Sequence, residues 1–506
     1  MTPPYCSSRN EPILRKILVF SPTGLTSKQI GLTAEIVEKL LAEDNHVTFV
    51  QCDAVLQNCY FNRVHNILGC AACQSRMQKV LQWAGLSPQH IVKLKHYHEV
   101  DKVLLPSFSN FDELAAFTFH NIPVGRGAAS SIVSYFRDYH IDSEKYGQLI
   151  DIELRKAINV LLNFKELFDQ LQPDELYLFN GRFAEVFPVM ELATQRELPF
   201  YTIEAGAQNR YELFRNGLPH SIRIRTERML ELWRNAPAQD RLKIGREWFE
   251  KKRKRDETYE ISFTKSQKQG RLPAGFDHDK RNILLLNSSE DELKAIMEWQ
   301  TPLFKSQNEA IEQIVRFFID NPTFQFYLRV HPNLGKVDNV QMQEISGMAF
   351  PNLTIIPPGD PIDTYHLIDS CEKVISFGST AGIEATYWGK PAILYGKGFY
   401  AYLNATYRPA SFEELVVLIQ QKDLSPKPQE RTLPYGFYWS TYGQPTDFFL
   451  FAGLHASRYK GKRLRKIYIS ALTLLPRYLK HFALWQKLYR LYYKKPFSIK
   501  SLMRYK

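Results

Sequence analysis

Long apolar runs are missing from this 506-residue sequence. The nearest candidate, Ile467–Pro476, has about half the length of a membrane-spanning helix. Residues 1–16 contain no apolar segment followed by a small-residue cleavage site, so we expect no secretory signal. Six cysteines in a chain of this length exclude a disulfide-rich secreted scaffold. The sequence therefore predicts a globular protein of a reducing, cytoplasmic compartment.

Several motifs of nucleotide and acyl chemistry are also missing. The sequence has no G-x-x-x-x-G-K-[ST] phosphate loop and no G-x-S-x-G nucleophile turn. The first predicted strand is followed by SPTGLT, whose single glycine does not make a dinucleotide fingerprint. The D-x-D sequence Asp277–Asp279 lies in a polar segment with no apolar run before it. These features argue against a P-loop nucleotidase, an α/β-hydrolase, an NAD-dependent dehydrogenase and a metal-dependent transferase.

Acidic residues are missing from the C-terminal end. The net charge is +12, but residues 458–506 hold 15 Lys/Arg and no Asp or Glu, which leaves 50 basic and 53 acidic residues elsewhere. No nucleic-acid motif accompanies this basic segment, so we expect no nucleic-acid partner. A helical wheel places an aromatic face (Tyr478, Phe482, Trp485, Tyr489, Tyr492) opposite a basic face (Lys480, Lys487, Arg490, Lys494).

An aromatic face opposite a basic face is typical of a helix that lies on an anionic membrane surface. The alternative is a helix that packs its aromatic face on the body of the protein and leaves its basic face in water. The first interpretation predicts a peripheral protein on the inner face of the cytoplasmic membrane.

Apolar, strand-like runs alternate with helical patterns, which predicts parallel sheets covered by helices on both faces. In the first half the predicted strands are Ile13–Ser21, His46–Cys52, Val100–Pro106, Glu175–Asn180 and Phe200–Ala205. In the second half they are Asn282–Asn287, Phe324–Val330, Leu353–Pro357, Val374–Phe377 and Ala392–Tyr395.

The fold class predicted by this alternation is α/β, with two Rossmann-like domains that face a cleft and a basic helical tail. The predicted boundaries are an N-terminal domain over 1–263, a polar linker over 264–281, a C-terminal domain over 282–450 and a tail over 451–506. In such sheets ligands bind beyond the carboxyl ends of the strands. Polar residues stand at those ends: Ser21, Thr23, Gly24, Asn180, Gly181, Arg182, Glu204, Gly206, Asn287, Ser288, Ser289, His331, Ser379 and Thr380.

The strongest pattern is Gly378-Ser379-Thr380, which follows a strand and opens a helix. The free N–H groups of a helix start favour a phosphate, and Gly378 would let the backbone approach it. Glu384, one turn into the helix, can accept hydrogen bonds from ribose hydroxyls. The alternative is an ordinary cap at Ser379 and a solvated Glu384.

A second candidate group lies at the end of another predicted strand of the same domain, Phe324–Val330. In Arg329-Val330-His331-Pro332 the proline forces a turn where His331 leaves the sheet, and a histidine there can donate a hydrogen bond to a phosphate or a leaving group. The alternative is a histidine that only caps or packs.

Four of the six cysteines are close together in the sequence. The spacing of Cys52, Cys59, Cys70 and Cys73 ends in a CxxC pair, which can supply thiolates to a structural zinc ion. A disulfide and simple packing of four small apolar side chains are the other interpretations.

The sequence resembles the bacterial capsule polysaccharide biosynthesis proteins, which are related to the Kdo and sialic acid transferases of the glycosyltransferase-B fold. The matching pieces are RVHP at Arg329–Pro332, GSTAGIEA at Gly378–Ala385, GKPAILYGKGFY at Gly389–Tyr400, NGR at Asn180–Arg182 and IEAG at Ile203–Gly206. The resemblance implies that His331, Ser379 and Thr380 bind the donor phosphate, with Arg329 and Gly378 in the same nucleotide site. It also implies that Glu204, from an acidic–acidic–Gly motif, is the general base. Ala205 replaces the second acid of that motif.

The resemblance predicts a metal-independent, inverting sugar transfer from a nucleotide sugar, such as a CMP-linked one, to a cell-surface polysaccharide or lipid-linked glycan. Asn180 and Arg182 would contact the acceptor or the donor sugar, and no cofactor is expected. A capsule assembly or export factor that keeps the fold without catalysis, and a nucleotide-sugar 2-epimerase, are the alternatives.

Overall fold

The computed structural model describes residues 14–464, except 60, 63–64, 257–262 and 293. The first half builds a sheet from strands β1 to β6 in the spatial order β6-β5-β4-β1-β2-β3, in which only β6 is antiparallel to its neighbour. These strands are β1 (Lys16–Phe20), β2 (His46–Gln51), β3 (Ile91–Lys93), β4 (Glu175–Phe179), β5 (Phe200–Ala205) and β6 (Arg210–Arg215).

Eight helices of the described residues lie in this half of the chain, and the last two, α7 and α8, pack with residues of the second half. They are α1 (Ser27–Ala42), α2 (Ile67–Trp83), α3 (Phe111–Ala116), α4 (Val124–Phe136), α5 (Ser143–Leu171), α6 (Phe187–Gln195), α7 (Ile222–Asn235) and α8 (Ala238–Arg253). Helices pack on both faces because each central strand is apolar on both. Along β1, Ile17 and Val19 join the core under α1 and α2, whereas Leu18 and Phe20 join the core under α3 to α6.

The second half builds an all-parallel sheet in the order β11-β10-β7-β8-β9. Its strands are β7 (Arg281–Leu286), β8 (Phe324–Arg329), β9 (Leu353–Ile356), β10 (Lys373–Ser376) and β11 (Ala392–Leu394). Its helices are α9 (Gln307–Phe317), α10 (Val340–Gly347), α11 (Thr364–Ser370), α12 (Ala381–Tyr387) and α13 (Phe412–Gln420). The predicted fold class of two Rossmann-like α/β domains is confirmed.

The end of the described chain returns to the first domain. Helix α14 (Leu433–Thr441) packs on α8, and β12 (Gln444–Pro445) then pairs with β6. The last elements are β13 (Phe449–Leu450), α15 (Gly453–Ala456), β14 (Arg458–Tyr459) and β15 (Lys462–Arg463), and the three strands form a small sheet beside α1. Residues up to 464 are therefore part of the folded body, whereas the predicted tail begins at 451.

A single buried carboxylate holds the end of the described chain against α1. Glu35 of α1 is fully buried and accepts hydrogen bonds from the backbone N–H groups of Asp447, Phe448 and Phe449, at 2.8–2.9 Å. Gly31, one turn earlier, leaves the space that the Phe449 ring occupies, because a Cβ there would lie 2.2 Å from the ring.

One predicted strand differs from the structure. The predicted strand Val100–Pro106 is wrong: a 3₁₀ turn covers His98–Lys102, and β3 takes the sheet edge instead. Val100 is buried but Leu104 is 95% exposed, so this apolar run contributes single buried side chains and does not pair in the sheet.

The segment predicted as the linker contacts the second domain. Its Gly270 N–H donates to Asp363 Oδ2 (2.9 Å), the residue that caps the start of α11.

Candidate active site

The second sheet changes direction between β7 and β10. The chain runs from β7 through β8 to β9 on one side and then crosses to β10 on the other, so the loops after β7 and β10 diverge. Such a point at the carboxyl edge of a parallel sheet is where ligands bind in doubly wound folds. Gly378 lies in the loop after β10, and a Cβ at Gly378 would lie 3.4 Å from Ser288 Oγ of the loop after β7.

Gly378 shapes the loop before α12. Its φ of 142° lies in the region that disfavours other residues, and a Cβ would lie 2.6 Å from the Lys397 carbonyl oxygen. Gly378 therefore allows the close approach of the Lys397 carbonyl, and its approach to a ligand stays a prediction.

Ser379 and Thr380 follow directly. The Ser379 carbonyl accepts hydrogen bonds from the Tyr400 hydroxyl (2.7 Å) and from Ser376 Oγ (3.0 Å), which fix the loop from behind. Thr380 is the N-cap residue, but its side chain does not cap the helix. Within the described residues neither the Ser379 nor the Thr380 hydroxyl has a hydrogen-bond partner, and Thr380 is exposed. Both hydroxyls are therefore available to a ligand.

Glu384 lies on the inner side of α12. It is only 5% exposed, and its carboxylate accepts a hydrogen bond from the Tyr365 hydroxyl (2.5 Å). This contact explains why an acid is tolerated there, and the structure does not bring Glu384 to the surface beside Ser379.

His331 stands at the carboxyl end of β8. Its backbone N–H donates to Asn287 Oδ1 (2.8 Å), and its Nδ1 accepts from the Asn333 backbone N–H (3.2 Å). Burial and, to a smaller extent, the nearby Arg137 charge lower the pKa of His331 to about 4, and the Asp291 charge opposes this shift. The imidazole is therefore neutral at pH 7 and carries its proton on Nε2, which makes Nε2–H a hydrogen-bond donor.

Arg329 has a supporting position. Its guanidinium donates to the carbonyl oxygens of Pro357 (2.9 Å) and Asp360 (3.0 Å), and the residue is only 5% exposed. It therefore holds the loop after β9 in place next to the His331 turn. Burial lowers the pKa of Arg329 from its usual value.

Glu204 lies at the end of β5 in the first domain. Asn180 Nδ2 donates to its Oε2 and the Ala205 N–H to its Oε1, both at 2.9 Å. Asn180 and Gly181 adopt left-handed conformations after β4, with φ of 66° and 95°. Among the described residues, no single residue forms a hydrogen bond or an ion pair with both Glu204 and His331.

Ala205, which replaces the second acid of the motif, is a core position here. It is 8% exposed and belongs to the apolar cluster that contains Tyr211. The carboxylate at Glu204 keeps its place at the strand end without it. Arg182, in the loop after β4, lies over the Phe183 ring at 4.7 Å.

The sequence did not indicate two cations near these groups. Lys28, in the first turn of α1, is half-buried, and burial lowers the pKa of its ammonium while the Glu204 charge opposes that shift. Arg137, at the end of α4, lies close to His331. Both are single basic residues without a motif, and only the long-range fold brings them to the site.

The four cysteines line one cavity together with His65. All four are free thiols, and burial raises the pKa of each one. A tetrahedral zinc site holds its sulfur atoms about 3.8 Å apart. Of the described residues, only His96, His98 and Asp101, on the surface, place three ligand atoms within 4.8 Å of one another. The four sulfur atoms are therefore not drawn together as in a tetrahedral zinc site, and the zinc, disulfide and packing interpretations stay predictions.

Asp277 and Asp279, the D-x-D pair, are in an exposed turn closed by a hydrogen bond from the Asp279 N–H to Asp277 Oδ1.

No helix in the described part of the chain is long and apolar enough to cross a membrane. The predicted amphipathic helix at Tyr478–Lys494 lies outside the described residues.

Comparison with known proteins agrees with the motifs of the second half. The family model for "Capsule polysaccharide biosynthesis protein" matches residues 299–412. The resemblance to this family is confirmed. The match covers less than a quarter of the chain, and it includes His331, Gly378, Ser379, Thr380 and Glu384. A search of curated proteins found no match.

Solved structures that are similar to this chain have low sequence identity to it. KpsC of Thermosulfurimonas dismutans, a beta Kdo 2,4 transferase, is 13% identical over 60% of this chain and 87% of that chain, with a TM-score of 0.35. UDP-GlcNAc 2-epimerase from Neisseria meningitidis is 12% identical over 84% and 97%, with a TM-score of 0.24. The calicheamicin glycosyltransferase CalG4 is 13% identical over 93% and 100%, with a TM-score of 0.24. At these TM-scores the similarities carry no argument about this chain's activity.

Proposed function

We propose that this protein is a glycosyltransferase of capsule or related cell-surface polysaccharide synthesis, which transfers a sugar from a nucleotide-sugar donor to a glycan. The observation that carries the proposal is that the carboxyl edge of each of the two sheets holds one group of candidate site residues. One edge presents a carboxylate held by Asn180, and the other presents a neutral histidine and two hydroxyls before a helix.

The second domain is the proposed donor side. The departing nucleotide phosphate gains negative charge in the transition state, so fixed donors aimed at it lower the barrier. The His331 Nε2–H and the hydroxyls of Ser379 and Thr380 are such donors. Gly378 and Arg329 act by holding the two loops, and a CMP-linked sugar is one candidate donor.

The first domain is the proposed acceptor side, with Glu204 as the general base. A base must be ionised and oriented before it removes the acceptor hydroxyl proton. The hydrogen bonds from Asn180 and the Ala205 N–H fix the plane of the Glu204 carboxylate. Direct attack of the activated hydroxyl on the anomeric carbon, opposite the departing phosphate, gives inversion without a metal ion. Arg182 would contact the acceptor or the donor sugar.

The acceptor is proposed to be a lipid-linked glycan on the inner face of the cytoplasmic membrane. The support is the sequence of the basic C-terminal segment, which holds no acidic residue from 458 onward. The described chain ends at Leu464, whose carbonyl accepts from Ser27 Oγ at the start of α1. The last described residue, Leu464, therefore contacts the first domain, the proposed acceptor side.

Nucleotide binding tests the donor site directly. We would measure thermal unfolding of the full chain with CMP, UDP, GDP and their sugars, because a ligand at 100 times its Kd adds about 2.7 kcal/mol to the free energy of unfolding. One nucleotide class should raise the Tm. The double variant Ser379→Ala/Thr380→Ala should lose this shift, whereas Ser346→Ala, on the exposed surface of α10, should keep it.

The alternatives predict other outcomes. A non-catalytic assembly factor would bind a nucleotide sugar and release no nucleotide with any acceptor. A 2-epimerase would convert the nucleotide sugar to its epimer without an acceptor. An unchanged shift in the double variant would contradict the placement of the phosphate site.

A further inference from the structure

Arg137 connects the first domain to the His331 loop of the second. It follows the last residue of α4 in a left-handed conformation, with φ of 57°. Its guanidinium donates from Nε to Asp291 Oδ2 (3.0 Å), from Nη2 to Ser289 Oγ (2.6 Å) and from Nη1 to the Asn333 carbonyl (2.9 Å). Asn339 Nδ2 donates to the Arg137 carbonyl oxygen.

The oxygen atoms that accept these hydrogen bonds form a buried site that suits a cation. Asp291 and Ser289 are 3% and 4% exposed, and Ser289 Oγ also donates to Asp291 Oδ1. A buried carboxylate needs a partner, and Arg137 ion-pairs with it from another domain. A planar guanidinium can bind both an acid and a carbonyl at fixed angles, which a lysine ammonium does less well.

The contact with Asn333 leads to the reacting group. The same residue gives its carbonyl oxygen to Arg137 and its N–H to His331 Nδ1 (3.2 Å). The Asn333 N–H selects the histidine tautomer, because Nδ1 must stay unprotonated to accept it. Arg137 therefore fixes, through the single residue Asn333, the loop that orients the imidazole.

We propose that Arg137 is a positioning residue that holds His331 in its neutral, Nε2-protonated form and makes that form depend on contact between the two domains. The catalytic meaning of this role rests on the proposed function, whereas the effect on His331 does not. The charged groups that act on the imidazole are Arg137 and Asp291, and Arg137 has the larger effect.

The test follows the His331 ring itself in the full chain. We would label histidine at Cε1 with ¹³C, assign His331 with His331→Gln, and titrate from pH 3.5 to 8.5. In the wild type the His331 midpoint should lie near pH 4. Arg137→Ala should raise the His331 midpoint by about one pH unit or more, because a positive charge is lost and the Asn333 loop is released. Arg137→Lys keeps the charge and should restore most of the wild-type behaviour.

Two further variants separate positioning from general destabilisation. Arg196→Ala removes an exposed arginine of the first domain that pairs with Asp169, and the His331 resonance should not change. Arg137→Ala/Asp291→Asn avoids a stranded buried acid and should still raise the midpoint, by less than the single variant. An unchanged His331 midpoint in both Arg137→Ala and the double variant would overturn the proposal.

The outcome is separable from the proposed function because the titration needs no substrate. A His331 shift in a protein that binds no nucleotide supports the positioning role and contradicts the glycosyltransferase. Normal nucleotide binding with an unmoved His331 contradicts only the role of Arg137.

Discussion

Glu290 lies in the loop after β7, and burial raises the pKa of its carboxyl to about 7. The unfolded chain releases this proton near pH 4.3, so between pH 4.3 and 7 the folded state binds more protons. The free energy of unfolding therefore falls as pH rises through this window and levels off above pH 7.

Glu290→Gln removes this pH dependence and keeps an oxygen for the Gln307 N–H. We expect the variant to gain up to about 3 kcal/mol relative to the wild type between pH 4.5 and 8, measured by urea unfolding at several pH values. Glu227→Gln, on an exposed helix surface, should show no such gain. Parallel pH profiles for wild type and Glu290→Gln would contradict the assignment.

Gly378 offers a second prediction for a single residue. Gly378→Ala brings a Cβ to 2.6 Å from the Lys397 carbonyl in an unfavourable φ region, so the loop must move. We expect a loss of about 1–3 kcal/mol in unfolding free energy and weaker nucleotide binding. Gly347→Ala is the control, because a Cβ there meets nothing within 4 Å. Wild-type nucleotide affinity in Gly378→Ala would show that the loop is not part of the site.

The sequence predicted the positions of the site residues better than their roles. Gly378, His331 and Glu204 follow apolar strands, and the carboxyl ends of parallel strands meet at one edge, so their placement could be predicted. Arg329 and Glu384 turned out to bond inward, to loop carbonyls and to Tyr365. These partners lie far along the chain or in loops without regular periodicity, so no local pattern reports them.

At the scale of elements, the return of the chain to α1 is the feature that sequence patterns missed. Strands β12 to β15 have two residues each, too few to show an alternation. Their placement depends on Glu35, whose carboxylate binds three consecutive backbone N–H groups. In the sequence, a buried helix glutamate that binds backbone N–H groups cannot be distinguished from a solvated one.

Glu35→Ala should release this return segment. It leaves three N–H groups without an acceptor, so we expect a loss of about 3 kcal/mol or more in unfolding free energy. Hydrogen exchange at Asp447, Phe448 and Phe449 should become faster. Glu43→Ala, at the exposed end of the same helix, should cost about 1 kcal/mol or less. Unchanged exchange protection in Glu35→Ala would contradict the role of Glu35.

At the scale of the whole molecule, the charge separates a slightly acidic body from a basic segment. The structure shows where a truncation should end. Tyr459 and Leu464 are buried in the body, so a truncated chain has to retain both. A chain ended after Leu464 should lose cosedimentation with anionic liposomes that the full chain shows, and neither should bind neutral ones. A full chain with Lys480, Lys487, Arg490 and Lys494 changed to Gln is the matched control for length. Equal binding by all three would reject the membrane segment.

The central claim is that the first domain supplies the base and the second holds the nucleotide. The most direct measurement is sugar transfer and nucleotide release by the full chain, with the donor found in the binding screen and a glycan acceptor. Glu204→Gln should bind the nucleotide within about twofold of the wild type but transfer sugar about 10²–10⁴ times more slowly. Wild-type turnover in Glu204→Gln, or nucleotide binding lost together with transfer, would contradict the account.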